Sequence, residues 1–140
     1  MTRWLVDGTN VMASRPDGWW RDRPGASARL VVRLQHLAAA GDVVTVVFDG
    51  SPPPDQADLA EGEHDGVTVR WAQRRGPDAA DDRIVELVSS DGRPESLTVV
   101  TSDRALARRA RSAGASVNGA GALLRRLDEL DGGDGRGGRR

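Results

Sequence analysis

The first ten residues, Met1-Thr-Arg-Trp-Leu-Val-Asp-Gly-Thr-Asn10, decide how the rest of the chain is read. Thr2 to Val6 is predicted as a short strand buried on both faces, and it passes directly into Asp7-Gly-Thr-Asn10. Asp7 and Asn10 therefore fall at or just beyond the strand's carboxyl end. Two further apolar strands end the same way. Val43 to Phe48 is followed by Asp49, and Leu97 to Val100 by Thr101-Ser-Asp103.

The elements between these strands alternate with them. From Ala26 to Ala40 the residues Leu30, Val31, Leu34, Leu37 and Ala38 have helical spacing, and Gly41 is a natural stop. Ser51-Pro-Pro-Pro54 breaks the chain, residues 55–63 are predicted as a short helix, and Val67 to Trp71 alternates as a strand. Pro77-Asp78 opens a second helix with Ile84, Leu87 and Val88 on one face. A helix from about Asp103 to Ala113, a short strand at 115–117 and a helix at 120–130 follow. Residues 13–25 are a polar connection dense in turn formers. Residues 131–140 carry no apolar side chain and are expected to be disordered, which bounds the domain at 1–130. Strands alternating with helices imply an α/β fold, a three-layer sandwich around a mostly parallel, Rossmann-like sheet of about five strands. Ligands of such sheets bind beyond the carboxyl ends of the strands, near the reversal of strand order. Asp7, Asp49 and Asp103 belong at that edge.

The chain has 140 residues, 38% of them apolar and 29% charged, which is ordinary for a globular domain. No apolar run has the length of a membrane helix, and no leader peptide is recognisable at the start. Cysteine is absent, which excludes disulfides and thiolate metal sites and suits a reducing cytoplasm. The net charge of −1 excludes a chain that binds nucleic acid by its overall charge. All 20 basic residues are Arg, whose planar fork suits phosphate.

The chemistry lies with the carboxylates. Asp81 sits one turn before Ile84 and Val85 and leans toward the core side of its helix, over the end of the sheet. Asp82 is turned by about 100° toward solvent, and Asp78 is placed as the N-cap. Carboxylates gathered at one edge repel one another, and protonation or a hard divalent cation relieves this. Mg²⁺ or Mn²⁺ suits such oxygen ligands, and the reaction this permits is attack of metal-activated water on a phosphodiester. Asp82 or Asp78 is the alternate for Asp81. Asn10, Thr101 and Ser102 have short polar side chains able to hold a carboxylate in place. A competing reading is that an Asp after a buried strand caps the next helix or starts a turn. His36 falls in a helix and His64 in a polar loop, so neither suggests a histidine base.

Val6-Asp-Gly-Thr-Asn10, Ala80-Asp81 and Val99-Val-Thr-Ser-Asp-Arg104 together resemble the NYN group of PIN-like nucleases, and within it the YacP-like branch. Val47-Phe-Asp-Gly-Ser-Pro-Pro53 is also similar to a Phe-Asp-Gly-x-Pro-Pro run of flap endonucleases, which share the PIN-like core. The resemblance covers residues 3–128. It implies a metal-dependent ribonuclease with Asp7, Asp49, Asp81 and Asp103 as acidic site residues, supported by Asn10 and Ser102. It also implies RNA as partner and an association with the ribosome. Thr9 stands where the family often has Tyr, and the doubled Asp81-Asp82 leaves the helix ligand ambiguous. Asp-Gly-Thr is also similar to haloacid-dehalogenase-like phosphatases, but Leu5 occupies the position of their nucleophilic Asp and the chain has no Lys. Two other functions stay open: a catalytically weak RNA-binding or adaptor domain, and a metal-dependent hydrolase of small nucleotides.

Single-stranded RNA would be held by stacking and by phosphate contacts. Arg15, Arg21 and Arg23 surround the adjacent Trp19 and Trp20 in a loop that leaves the first strand at the edge carrying Asp7. Arg74, Arg75 and Arg104 flank the acidic positions and complete the candidate RNA-binding set. Arg108, Arg109 and Arg111 are read as a solvated helix face.

Overall fold

In the computed structural model, which describes residues 1–73 and 78–139, the chain runs β1 (Arg3–Asp7), α1 (Gly8–Ala13), α2 (Arg23–Ala39), β2 (Val43–Phe48), β3 (Gly62–His64), β4 (Val67–Trp71), α3 (Ala79–Ser89), β5 (Leu97–Val100), α4 (Arg104–Ser112), β6 (Ser116–Asn118) and α5 (Ala120–Arg139). Single 3₁₀ turns lie at Trp19–Arg21, Ala57–Leu59 and Pro94–Ser96. The described strands form one sheet in the order β3-β4-β2-β1-β5-β6, parallel throughout except for β3 against β4. β1 is central because both its faces are apolar. Leu5 and Val6 are each almost fully buried, and Val6 is in register with Val46 on one side and Val100 on the other.

Alternation along the strands divides the core in two. Val6, Val46 and Val100 pack in one cluster with Leu30, Leu34 and Leu37 of α2 and Leu123 and Leu127 of α5. Leu5, Val47 and Val99 pack in a second cluster with Ile84 and Val88 of α3 and Leu106 and Ala110 of α4. Helices thus cover both faces, as expected of a mostly parallel sheet.

The five strands expected from the sequence are present, within a residue or two at their ends. The short helix expected at 55–63 is instead one 3₁₀ turn followed by β3, which pairs antiparallel with β4 and makes the sixth strand. Asp65 and Gly66 both have positive φ, 48° and 89°, the backbone of a tight two-residue hairpin turn. The connection at 13–25 is more ordered than expected. α2 begins at Arg23, with Asp22 accepting from the Gly25 N–H at 3.1 Å and Pro24 in the first turn.

α5 spans Ala120–Arg139. Within it, the Asp131 carboxylate accepts from Arg33 Nε at 2.7 Å and meets His36 Nδ1 at 2.8 Å. Arg74, Arg75 and Pro77 lie outside the described residues. No helix among the described residues is long and apolar enough to cross a membrane.

Candidate active site

The chain leaves β1 without a loop. Gly8 opens α1 directly, and a Cβ there would stand 2.6 Å from Phe48 Cε1 and 2.9 Å from Val46 Cγ2. Only glycine lets α1 lie this close to β2, which is why Asp-Gly follows the strand. At this junction Asp7 occupies the N-cap position of α1 but makes no side-chain capping hydrogen bond. Its carboxylate turns into the protein and is 4% exposed. Thr101, also buried, donates its hydroxyl to Asp7 Oδ2 at 2.9 Å and accepts the Asp103 N–H at 3.1 Å. Asn10 Oδ1 accepts the Ser102 N–H at 2.8 Å. Two hydrogen-bonded links therefore fasten the β5–α4 turn to the β1–α1 junction.

Burial raises the Asp7 carboxyl to about 7, against the lowering effect of the Thr101 hydroxyl and the nearby Asn10 N–H, with the charges of Asp81 and Asp49 pushing it further up. Burial likewise raises Asp81 to about 6, helped by Asp103, Asp78 and Asp49 and eased by Arg109. Asp81 and Asp49 thus act on Asp7, and Asp103, Asp78 and Asp49 act on Asp81, at one edge of the sheet. Asp81 reaches it from the first turn of α3, as its phase with the buried Ile84 requires.

The remaining positions divide. Asp49 is exposed; its N–H is held by the Thr9 hydroxyl at 3.2 Å, and Arg23 Nη2 stands 4.0 Å from its Oδ2. Thr9, which the sequence marks only as a departure from the family, is thus a positioning residue for the chain after β2. Asp103 does serve as a cap, its Oδ1 accepting from the Ala105 and Leu106 N–H groups at 2.9 and 3.1 Å. The capping reading therefore holds for this residue. Asp78 sits at the N-cap position of α3 without a side-chain capping bond. Asp82 is not turned simply to solvent: it pairs with Arg109 at 3.0 Å, which also takes Arg109 out of the solvated face assigned to it. Ser102 is exposed and its Oγ accepts the Ala120 N–H at 3.0 Å, so it ties the turn to α5 rather than facing a carboxylate.

In the Trp–Arg loop, Trp19 is half-buried against the α2-side core, and Trp20 is 54% exposed. Arg23 lies 5.5 Å from the Trp19 ring centroid and Arg21 5.7 Å from that of Trp20. Arg15 points elsewhere, into an ion pair with Asp128 of α5 at 2.8 Å. The structure therefore brings Arg23 to the acidic edge and leaves Arg15 away from it. His36 and His64 are both outside this edge, on Asp131 and on the Ala60 carbonyl.

A mostly parallel sheet with acidic residues beyond β1, β2 and β5 and at the head of α3 defines a PIN-like, nuclease-type domain. The chain belongs to the YacP-like NYN domain family, whose profile matches residues 4–133. It is similar to the crystal structure of Rae1 (YacP) from Bacillus subtilis, with 25% identity and a TM-score of 0.74 over 99% of this chain and 80% of that one. A mutant of the same Bacillus subtilis protein gives the same identity and TM-score over 97% and 80%. No curated protein matches the sequence.

Proposed function

We propose that the chain is an endoribonuclease that cuts single-stranded RNA with Mg²⁺ or Mn²⁺ at Asp7, Asp49, Asp81 and Asp103. The observation that carries this is the buried Asp7 carboxyl, held by Thr101 and raised to about 7 beside the raised Asp81. Carboxyls raised by burial and by acidic neighbours are relieved by a cation, which makes this edge a candidate place for one. The donor set fits a hard ion, because carboxylate and hydroxyl oxygens are the only ligands it offers. Among the described residues no three acidic or His side chains are already drawn together as a cage. Mg²⁺ sites commonly keep waters and use one or two carboxylates with substrate phosphates, so an open arrangement suits that ion. When bound, the ion supplies Lewis acidity toward the phosphodiester and the attacking water.

The chain's own residues do the rest. Thr101 fixes the direction of the Asp7 carboxylate, and the Asn10–Ser102 bond holds the two strand ends in register. Arg23 beside Asp49 offers a guanidinium for phosphate, and the exposed indole of Trp20 offers a face for a base. Family likeness supports RNA as substrate. Asp103, whose Oδ1 is taken up by the cap of α4, favours one second reading, an RNA-binding domain with little catalysis.

The test is cleavage of single-stranded RNA by purified protein with Mn²⁺ or with EDTA, alongside Asp7→Asn and Asp81→Asn. Cleavage that survives EDTA and both substitutions sinks the proposal. RNA binding without any metal-dependent cleavage establishes the second reading, and preferential turnover of free nucleotides points to a small-molecule hydrolase.

A further inference from the structure

Arg104, Arg108 and Arg111 follow one another at i, i+4 and i+7 on α4, so they form a single stripe. All three are exposed and line one groove, which starts at Asp103 and runs along α4 opposite Gly119. Asp103 is the only acidic residue of that groove, and its Oδ1 is taken by the helix cap. Among the described residues, none of the three arginine side chains has an ion pair or hydrogen bond. Arg3, Arg15, Arg23, Arg33, Arg83 and Arg109 each have an acidic partner within 4.0 Å. Arg109, on the same helix, turns away to Asp82.

A solvated, stabilising face does not account for this stripe. Arg111 in the last turn of α4 is favoured by the helix dipole, but Arg104 is the first residue of the helix, where the dipole disfavours a cation. A cation at that end with no ion pair of its own suits an anion arriving from outside. The stripe extends about 10 Å along the axis at about 1.5 Å per residue, long enough for successive phosphates rather than one.

The geometry points to a phosphate track on α4, in which Arg108 and Arg111 bind the backbone of an RNA strand as it leaves the acidic edge past Arg104. This rests on the proposed reading of that edge as the place of cleavage, and it assigns the β5–β6 side of the sheet to the strand, opposite the side of Arg23 and Trp20.

The probe is a fluorescent single-stranded RNA oligonucleotide titrated in EDTA, so that binding is read without cleavage, over a series of salt concentrations. Replacing both residues, Arg108→Gln with Arg111→Gln, should flatten the slope of log K against log salt by about 1.4, two phosphate contacts at about 0.7 each. Arg29→Gln on α2, on the opposite face of the sheet, should keep the wild-type slope. An unchanged slope in the double variant, or an equal change at Arg29→Gln, overturns the track. A flattened slope in a protein that never cuts RNA keeps the track and rejects the nuclease reading. Metal-dependent cleavage with an unchanged slope does the reverse.

Discussion

Replacing Asp7 by Asn should make the metal-free protein more stable, and the gain should grow with pH. The carboxyl has an ordinary value of 3.8 and stands at about 7 in the fold. A raised folded-state value means that the contribution to stability is complete below about 4 and is lost as the pH rises through about 7. Above both values the cost of ionising Asp7 in place is about 4 kcal/mol, taking about 1.4 kcal/mol for each pH unit of the rise. At pH 5 only about 1.5 kcal/mol of it is felt, because the folded carboxyl is then still protonated. Asn has no charge to bury, and its amide oxygen still accepts from Thr101. Urea unfolding in EDTA at pH 5 and pH 8, with wild type and Asp7→Asn compared at each, measures the difference. The expected gain is larger at pH 8 by about 2–3 kcal/mol. Equal effects at both pH values, or a variant less stable than wild type at pH 8, would refute the account of Asp7 as a strained carboxylate. Adding Mn²⁺ at pH 8 should then stabilise the wild type and leave Asp7→Asn unmoved, by binding linkage.

Other consequences concern the same edge. Gly8→Ala pushes a methyl into Phe48 and Val46, and chemical denaturation should show a loss of about 1–3 kcal/mol. Thr101→Val keeps the shape but removes the donor to Asp7, so the acidic limb of the pH–rate profile on RNA should move to higher pH; an unmoved limb contradicts the hydrogen bond's role. The two indoles should separate by assay. Trp20→Ala should weaken RNA binding by about 1–3 kcal/mol with an unchanged melting temperature, whereas Trp19→Ala should lower the melting temperature first.

What the sequence disclosed, and what it hid, follows from the range of each interaction. The parallel strands were legible because β-branched runs such as Val43 to Phe48 are local signals. The doubled Asp81-Asp82 stayed ambiguous on paper, although Asp81 alone shares a helical phase with Ile84; in the structure Asp81 lies in the field of Asp7 and Asp82 pairs with Arg109. Asp65-Gly66 was a readable hairpin signal that the expectation of a short helix at 55–63 passed over. α1 was hidden because it starts immediately after the strand and buries only Gly8, Val11 and Met12. Long-range partners left no local trace. Nothing around Arg15 announces Asp128, nothing around Ser102 announces Ala120, and nothing around Asp131 announces Arg33. Asp103 shows why a strand-end aspartate stays ambiguous on paper: a helix cap and a charged neighbour of Asp81 are compatible tasks for one side chain.

The bond from Thr101 to Asp7 also sets a timetable. Its two ends are 94 residues apart, and β1 takes its neighbour on that side only when β5 has been made. Such non-local pairing is slow, because a long stretch of chain must be closed before any contact rewards it. Until then an emerging chain has an aspartate at the end of β1 with no hydroxyl to aim it and no Asp103 beside it. A fragment ending before residue 97 should therefore carry the first half of the motif and none of its chemistry. The acidic edge is completed late in synthesis, once β5 has been made.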